Sequence, residues 1–531
     1  EVGDGDRVFK GMLGSINGRI YYNLLNWYRV LAMLPGYRLN RRFMEQMMGV
    51  KEPLPEHIAA EIGHASQSGR FADAGRLLVS FGSLITNLLT LDSSTRQFYG
   101  RLDAALRPPE VPLEKMDRAE LAAHYRELEA RLLTRWDAPL VNDFFCMIFY
   151  GLLKQLGGKW LPGDRPLHDE LLQGGGEMIS AEPAMRVRKL AALARETEGL
   201  AGLLVAGSRD EIERAARAAP EFDGAYRAYL EKFGERCLEE LKLETPTLHD
   251  DPLVLLRAIG NLARAAPAAE PTGPTRPAAG DPGEIVTDAL AGHPLRKPIF
   301  AWILGQARCR VRARENLRFE RTRLFGRVRR IFVELGRRFH AAGLLDDPRD
   351  VFHLELAEAL AAAEKGSGTT SLAALATTRK AEFARFRQLP APPNRFETRG
   401  GPPYQLPAAT RSPAPSRPAE STKQRSALGC SPGIVEAPVR VIHDPRQASL
   451  EPGEIIVART TDPGWILLFP LAAGIIVERG SPLSHSAIVA REFGIPAVVA
   501  MTDATNWLQS GDMVVIDGAT GTVRKLDAQP E

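Results

Sequence analysis

The spacing of apolar residues divides the chain into two regions. From about residue 70 to residue 342, leucines recur at helical spacing, as Leu84, Leu88 and Leu91 do, and this period predicts amphipathic helices. Asp137 to Gly157 is almost wholly apolar, which predicts a buried helix. Its polar residues Asn142 and Asp143 either make capping or core hydrogen bonds or line a substrate pocket. From residue 428 onward the apolar runs become short and are separated by glycine turns, a pattern typical of strands. We therefore predict a multidomain protein in which a mostly α-helical domain precedes a small α/β domain.

The C-terminal region is predicted to hold six strands, and a proline-rich segment precedes it. Residues 388–427 carry nine prolines between Pro390 and Pro418 and show no apolar periodicity, which predicts a linker. The predicted domains are thus 1–387 (helical), 388–427 (linker) and 428–531 (α/β). The predicted strands are Val439–Ile442, Ile455–Ala458, Gly474–Val477, Ala497–Ala500, Met513–Ile516 and Val523–Lys525.

Composition excludes several classes of protein. The 531 residues are 44% hydrophobic and 25% charged, with a net charge of +3, so no general attraction to nucleic acid or to a membrane is expected. The four cysteines are scattered and show no paired spacing. This pattern argues against a zinc site or a disulfide framework and predicts a reducing, cytoplasmic environment. No metal site is predicted.

One histidine stands at a predicted junction between a strand and a helix. The strand ends near Val477, Gly480 to Pro482 interrupt it, and Ser484 is a candidate N-cap for a helix that ends at Gly494. His485 is then the first helical residue, where backbone N–H groups and the helix dipole favour an anion such as a phosphoryl group. Because many histidines at helix starts are ordinary surface residues, the position alone assigns no role.

The residues around His485 resemble a known loop, the phosphohistidine loop of the swivelling domain in phosphoenolpyruvate synthase, pyruvate phosphate dikinase and rifampicin phosphotransferase. Ser481 departs from that loop, since a second glycine is usual there. The resemblance implies a β/β/α swivelling domain in which His485 is the catalytic residue that carries a phosphoryl group. Matching positions are Glu478, Gly480, Ser484, His485, Ala487, Ile488, Ala490, Arg491, Glu492, Gly494, Ile495, Pro496, Ala497 and Val498. The resemblance implies that the phosphohistidine is supported by Gly480, Ser484, Ser486, Arg491 and, from a second shared loop, Thr461.

The helical region contains many arginines between residues 308 and 330. Arg314, Arg318 and Arg321 fall on one helical face, and guanidinium groups bind phosphate in a bidentate fork. This face is a candidate lining for an acceptor site. A solvated face whose arginines pair with acids such as Glu315 is an equally open interpretation.

Segments of the helical region also resemble rifampicin phosphotransferase. Glu235 departs from it, because histidine stands there in that enzyme; this argues against rifampicin itself as the acceptor, and a carboxylate could act as a base toward a hydroxyl. The resemblance implies that an acceptor would be bound by Glu235, Arg236, Arg314 and Arg318.

The order of the parts resembles rifampicin phosphotransferase, in which a helical acceptor domain, a linker and a C-terminal histidine domain follow an ATP-grasp domain. Because the chain ends shortly after His485, we expect no C-terminal pyruvate-binding barrel such as phosphoenolpyruvate synthase has. We find no nucleotide-binding signature. We therefore expect Mg-ATP to bind to a separate or missing ATP-grasp domain, and this chain to bind none tightly.

Taken together, these features predict a phosphotransferase. His485 would accept a phosphoryl group from ATP at the ATP-grasp domain, with release of AMP and phosphate, and pass it to a small-molecule acceptor in the helical domain, an organic hydroxyl. Two alternatives remain open. The chain could be a subunit of a split enzyme, similar to phosphoenolpyruvate synthase or phenylphosphate synthase, or a non-catalytic, regulatory phosphocarrier.

Overall fold

A computed structural model describes residues 11–32, 41, 44–45, 70–161, 171–172, 179, 182–237, 242–264, 282–366, 371–389, 392–393, 395–397, 423–445, 450–462, 464–465 and 468–526. The chain forms two compact units. The first comprises residues 1–45, 50–136 and 329–420, and the second comprises 46–49, 137–328 and 421–531. Most of the predicted linker lies outside the described residues.

Helices make up most of the described chain before residue 389. Asp137 to Gly157 is helical as predicted, and the arginine-rich segment is one helix of 46 residues. The helices are α1 (Leu24–Ala32), α2 (Arg70–Ala105), α3 (Arg118–Arg131), α4 (Asp137–Trp160), α5 (Glu182–Glu196), α6 (Leu200–Ala206), α7 (Arg209–Ala218), α8 (Pro220–Phe233), α9 (Leu253–Arg264), α10 (Pro282–Ala289), α11 (Arg296–Ala341), α12 (Leu356–Lys365) and α13 (Leu372–Gln388).

The first unit packs helices around the C-terminal part of α11. Tyr125 of α3 meets Phe332 of α11 edge-to-face, with ring centroids 5.3 Å apart. Asp117 caps α3, and Glu120 completes a reciprocal capping box. A hairpin of β1 (Leu13–Ile16) and β2 (Arg19–Tyr22) precedes α1.

The second unit combines helices α4 to α10 and the N-terminal part of α11 with an eight-stranded mixed sheet. The strand order is β3-β10-β9-β5-β6-β7-β8-β4, and β5 to β8 run parallel. The strands are β3 (Gln424–Ser426), β4 (Leu428–Ser431), β5 (Ile434–Ile442), β6 (Ile455–Ala458), β7 (Gly474–Val477), β8 (Ala497–Val499), β9 (Met513–Asp517) and β10 (Thr522–Lys525). Two helices accompany them, α14 (His485–Phe493) and α15 (Ala504–Trp507). The predicted fold class, a mostly helical region followed by a small α/β domain, is confirmed.

Two strands escaped the sequence prediction. Strand β3 lies in the range predicted as linker, because Gln-Arg-Ser has no apolar alternation, yet it pairs with β10. Strand β4 pairs with β8 across a bulge, and its short Leu-Gly-Cys-Ser sequence carries too few apolar residues to be recognised. The bounds predicted for β6 and β7 are confirmed.

One apolar cluster in the second unit joins helices and sheet. Val187 of α5, Ile259 of α9 and Phe319 of α11 belong to the same buried cluster as Ile475 of β7 and Ala487 of α14. The histidine-bearing helix is therefore packed on the helical region of its own unit. Across the described part of the chain, no helix has both the length and the apolar character needed to cross a membrane.

Candidate functional site

The loop that bears His485 begins at the carboxyl end of β7. Strands β6 and β7 are parallel neighbours, so the loops that follow them emerge at one edge of the sheet. Two hydrogen bonds join these loops, from Glu478 N to the Ala458 carbonyl (3.0 Å) and from Arg479 N to the Arg459 carbonyl (2.9 Å). The edge therefore places the Thr461 segment beside the phosphohistidine loop.

A close approach explains the glycine at position 480. A Cβ there would lie 3.2 Å from Cβ of Val499 and 3.3 Å from Oγ of Ser484. A side chain would therefore push the turn away from β8. Ser481, where the related loops have a second glycine, is buried, and its carbonyl accepts a hydrogen bond from Ser484 N at 2.9 Å.

Helix α14 begins at His485, as predicted, with Ser484 at the N-cap position. The Ser484 hydroxyl makes no capping bond to the backbone and instead lies 3.1 Å from Oγ of Ser486. Arg491 is buried on the same helix and donates a hydrogen bond from Nη1 to the Pro482 carbonyl at 2.7 Å. This bond fixes the turn to the helix that follows it. Gly494 ends the helix in the left-handed conformation, at φ 65°.

The His485 side chain is buried and makes a hydrogen bond at one ring nitrogen. Nδ1 lies 3.3 Å from Oε2 of Glu315, a residue of α11, and each of the two side chains is only 2% exposed. A carboxylate can only accept, so Nδ1 carries the hydrogen. Nε2 is buried and has no hydrogen-bond partner among the described residues. The ring therefore presents the lone pair of Nε2.

Burial and nearby arginines keep the ring neutral, and the ring and the arginines keep the carboxylate ionised. Burial lowers the pKa of His485; the hydrogen bond that Nδ1 donates to Glu315 opposes this effect, and the charges of Arg318 and Arg236 reinforce it. Burial alone would raise the pKa of Glu315, but the hydrogen bond with His485 and the charges of Arg318 and Arg314 hold it well below its usual value. At neutral pH the pair is thus an imidazole beside a carboxylate.

Arg314 links three parts of the site. Its Nη1 donates a hydrogen bond to the Leu483 carbonyl at 2.8 Å, two residues before the histidine. Its Nε lies 3.3 Å from Oδ1 of Asp143 on α4, whose side chain is 46% exposed. Desolvation raises the pKa of Asp143, and Arg314, Arg321 and Arg318 oppose that increase. The three arginines predicted on one helical face therefore act on a single carboxyl group.

Arg236 lies against aromatic rings and acts electrostatically on His485. It is buried, and its guanidinium carbon lies 5.3 Å from the centroid of Phe319 and 5.6 Å from that of Phe233. Its charge contributes to the lowered pKa of His485. The structure thus brings Arg236, Arg314 and Arg318 to the histidine.

Glu235 is not brought to the histidine. Its carboxylate lies against Gly326 of α11 and fills the space that a Cβ at that position would occupy. Gly326 is 11 residues beyond Glu315 on α11, or about 16 Å along the helix axis. A role for Glu235 as base at this histidine therefore gains no support.

Thr461 lies in the loop beside the phosphohistidine loop. Its Oγ1 is buried and has no hydrogen-bond partner among the described residues. A buried hydroxyl without a partner is costly, so this hydroxyl is a candidate hydrogen-bond donor at the site.

Two residues of the site were not identified from the sequence. From the sequence, Glu315 was only an acid among arginines, and Asp143 was left open as either a core hydrogen-bonding residue or a residue of a substrate pocket. The available signal for Glu315 was its place on the helix, because Glu315 and Arg318 are three residues apart and share a face of α11. Nothing local indicates that this face meets a residue 170 positions later.

Among the described residues, no three His, Cys, Asp or Glu side chains are grouped as metal ligands would be, and we assign no residue here to Mg-ATP.

Comparison with known proteins agrees with this site. Residues 450–521, which include His485, match the family described as PEP-utilising enzyme, mobile domain. Residues 140–315 match the rifampicin phosphotransferase fourth domain, which contains Asp143 and ends at Glu315. The two matched segments thus meet at the His485–Glu315 contact.

Several curated relatives match over much of the chain. An uncharacterized protein of Mycobacterium tuberculosis is 31% identical over 427 residues, covering 79% of this chain and 45% of that protein. The prodigiosin synthesizing transferase PigC of Serratia marcescens is 29% identical over 96% of this chain and 57% of its own length. A rifampicin phosphotransferase from Streptomyces sp is 26% identical over 69% of this chain and 42% of its own length.

The chain spans about half the length of these relatives. The two matched domains, in this order, and the phosphohistidine loop within the second of them support the assignment. The chain belongs to the family of phosphotransferases that includes phosphoenolpyruvate synthase and rifampicin phosphotransferase.

Proposed function

We propose that this chain carries a phosphoryl group on Nε2 of His485 and transfers it to a small-molecule hydroxyl bound between α4 and α11. The observation that carries the proposal is the state of the ring. Nδ1 is held by Glu315, whereas Nε2 has no partner among the described residues. A neutral imidazole with one nitrogen hydrogen-bonded to a carboxylate is a nucleophile at the other nitrogen.

Arginines supply the positive charge that a phosphoryl group requires. Arg318 and Arg236 already act on His485 from two different segments of the chain, and Arg314 is hydrogen-bonded to the loop before it. In phosphoryl transfer, catalysis consists mainly of positioning and of stabilising charge on the phosphoryl oxygens. The N-terminus of α14 adds backbone N–H groups that favour an anion.

Asp143 is the carboxylate best placed to take the acceptor's proton. Its side chain is nearly half exposed, so a hydroxyl can reach it, and Arg314 holds it in place. In the transfer step the acceptor oxygen forms a bond to phosphorus, the P–Nε2 bond breaks, and its electron pair returns to the ring. The hydroxyl proton passes to Asp143. This assignment replaces Glu235, whose carboxylate lies beside Gly326, farther along α11 than Arg314.

The phosphoryl donor is, in this proposal, ATP bound by an ATP-grasp domain that is not part of this 531-residue sequence. Nε2 is buried, so the histidine domain has to leave the helical region in order to be loaded. Such movement is expected of the family's mobile domain, and the linker predicted at 388–427 provides the chain length for it. The rifampicin phosphotransferase among the relatives supports a small-molecule acceptor.

Chemical loading of the full chain tests this proposal without its natural donor. Potassium phosphoramidate phosphorylates histidine rings, and ³¹P NMR distinguishes phosphoryl groups on Nε2 from those on Nδ1. We expect an acid-labile phosphoryl group on Nε2 of His485. His485→Gln should lose it, and His293→Gln, a substitution at an exposed histidine, should retain it. Failure to load His485, or loading of its Nδ1 in place of Nε2, would refute the proposal.

A further inference from the structure

The contact between Glu315 and His485 involves the nitrogen that does not carry the phosphoryl group. Glu315 belongs to the helical region and His485 to the sheet domain, 170 residues later. The contact therefore exists only while the histidine domain rests on the helical region. At the loading site, by contrast, Nδ1 would face other groups.

Several charged groups surround this contact, but Glu315 is the one hydrogen-bonded to the ring. Arg318 of α11 and Arg236, just after α8, act on His485, and Arg314 and Arg318 act on Glu315. From α4, Asp143 and Cys146 face the same cluster. Burial raises the pKa of the Cys146 thiol to about 12, so Cys146 remains uncharged.

The proton on Nδ1 decides how easily the P–N bond breaks. With a phosphoryl group on Nε2, a ring that keeps the Nδ1 hydrogen bears a positive charge. Bond cleavage then releases neutral imidazole. A ring that has lost this hydrogen must leave as imidazolate, a far stronger base and a poorer leaving group. A buried carboxylate beside Nδ1 favours the charged, protonated ring.

We propose that Glu315 is a positioning residue that keeps Nδ1 of phosphorylated His485 protonated, so that the phosphoryl group becomes labile when the histidine domain docks on the helical region. This inference rests on the proposed function. The Nδ1 proton stays on the ring throughout: the acceptor oxygen–phosphorus bond forms, the P–Nε2 bond breaks, its electron pair returns to Nε2, and the hydroxyl proton passes to Asp143. Docking and activation are thus coupled through one carboxylate.

The test uses water as the acceptor and the full chain loaded with potassium phosphoramidate. The lifetime of phosphorylated His485 is followed by intact mass spectrometry and by ³¹P NMR between about pH 5 and pH 9, around the usual histidine pKa. Glu315→Gln removes the charge but retains an amide oxygen that can accept the hydrogen bond. Glu320→Gln is the matched control, because Glu320 lies on the same helix and pairs with Arg323.

We expect Glu315→Gln to lengthen the lifetime roughly 10- to 100-fold above neutral pH. At the acid end of the range the ring is protonated even without the Glu315 carboxylate, so Glu315→Gln should there lose the phosphoryl group at the same rate as the unsubstituted chain. This agreement would also show that the variant is folded. Glu320→Gln should follow the unsubstituted chain throughout. In ¹⁵N spectra of the unphosphorylated chain, the Nδ1–H signal should weaken in Glu315→Gln.

Two results would overturn the inference in different ways. Equal lifetimes for Glu315→Gln and the unsubstituted chain at every pH, with His485 loaded normally, would refute the role of Glu315 and leave the proposed function intact. If the unsubstituted chain gained no phosphoryl group on His485, the proposed function would fail, and the inference with it.

Discussion

Arg314 donates a hydrogen bond to the carbonyl oxygen of Leu483, and this bond of 2.8 Å ties the long basic helix to the loop that bears His485. The same guanidinium pairs with Asp143. One side chain thus spans from the phosphohistidine loop to the side chain that we assign as the acceptor's base. Such a bridge makes sense if the docked arrangement is the one in which the acceptor receives the phosphoryl group.

Arg318 provides a test of where the arginines act. We expect Arg318→Ala to slow release of the phosphoryl group about 10- to 100-fold, because one fixed cation beside the developing charge is lost. Chemical loading of His485 should proceed normally. The measurement is loss of ³²P from the loaded chain into small molecules of a dialysable cell extract and into inorganic phosphate.

Arg323→Ala serves as the control for Arg318→Ala. Arg323 lies on the same helix but pairs with Glu320 at 2.6 Å, and its removal should leave release unchanged. Circular dichroism would check that both variants are folded. If Arg318→Ala blocked loading and spared release, Arg318 would belong to the donor step instead.

Asp143 should show its role in the pH dependence of transfer. We expect Asp143→Asn to slow transfer to a hydroxyl acceptor by about 100-fold or more, since a general base contributes on this scale. The unsubstituted chain should lose activity as acid protonates Asp143, from a pH above the usual carboxyl range because desolvation raises its pKa. In the variant this acid limb should disappear.

The matched control for Asp143 lies on the same helix. Lys154 is exposed on α4, and Lys154→Gln also removes one charge, so its pH profile should follow that of the unsubstituted chain. An acid limb that persisted in Asp143→Asn would assign the titration to another group and would remove Asp143 from the transfer step.

The sequence predicted the parts of this site but not how they meet. The loop around His485 could be recognised because its glycine, serine and proline spacing is local and because helix starts have a known chemistry. The arginine face of α11 followed from helical periodicity alone. The position of Asp143, rather than Glu235, beside Arg314 is a tertiary fact: it depends on which residues of α4 and α11 meet the loop before α14. Strand β3 was missed for a similar reason, because its polar residues are held only by the pairing with β10.

The buried pair should make the folded state sensitive to acid. Burial lowers the folded-state pKa of His485 below its usual 6.5, so the unfolded chain binds a proton first as the pH falls. Stability should therefore decrease as acidification proceeds below about pH 6.5, down to the folded pKa. Glu315, whose folded pKa lies below its usual 4.5, extends this loss below about pH 4.5.

Urea unfolding at neutral and mildly acid pH measures this effect. We expect the free energy of unfolding to fall less in His485→Gln than in the unsubstituted chain between these two conditions. His293 is exposed, so His293→Gln should not alter the difference. An equal fall in His485→Gln would mean that His485 is protonated in the folded state, contrary to the neutral ring that the mechanism requires.

The histidine domain should move as a body between two positions. The loaded nitrogen is buried against the helical region, so loading from a nucleotide and delivery to the acceptor require two positions of His485. A flexible chain of about 40 residues has a root-mean-square reach of roughly 35 Å, which is comparable to a domain diameter. Deleting residues 398–417 should therefore impair transfer from ATP in the presence of the ATP-grasp partner. Chemical loading and release, which need only local opening, should continue.

Replacing the same residues with a Gly-Ser segment of equal length is the control and should restore transfer. Normal turnover in the shortened chain would show that His485 is loaded without this movement.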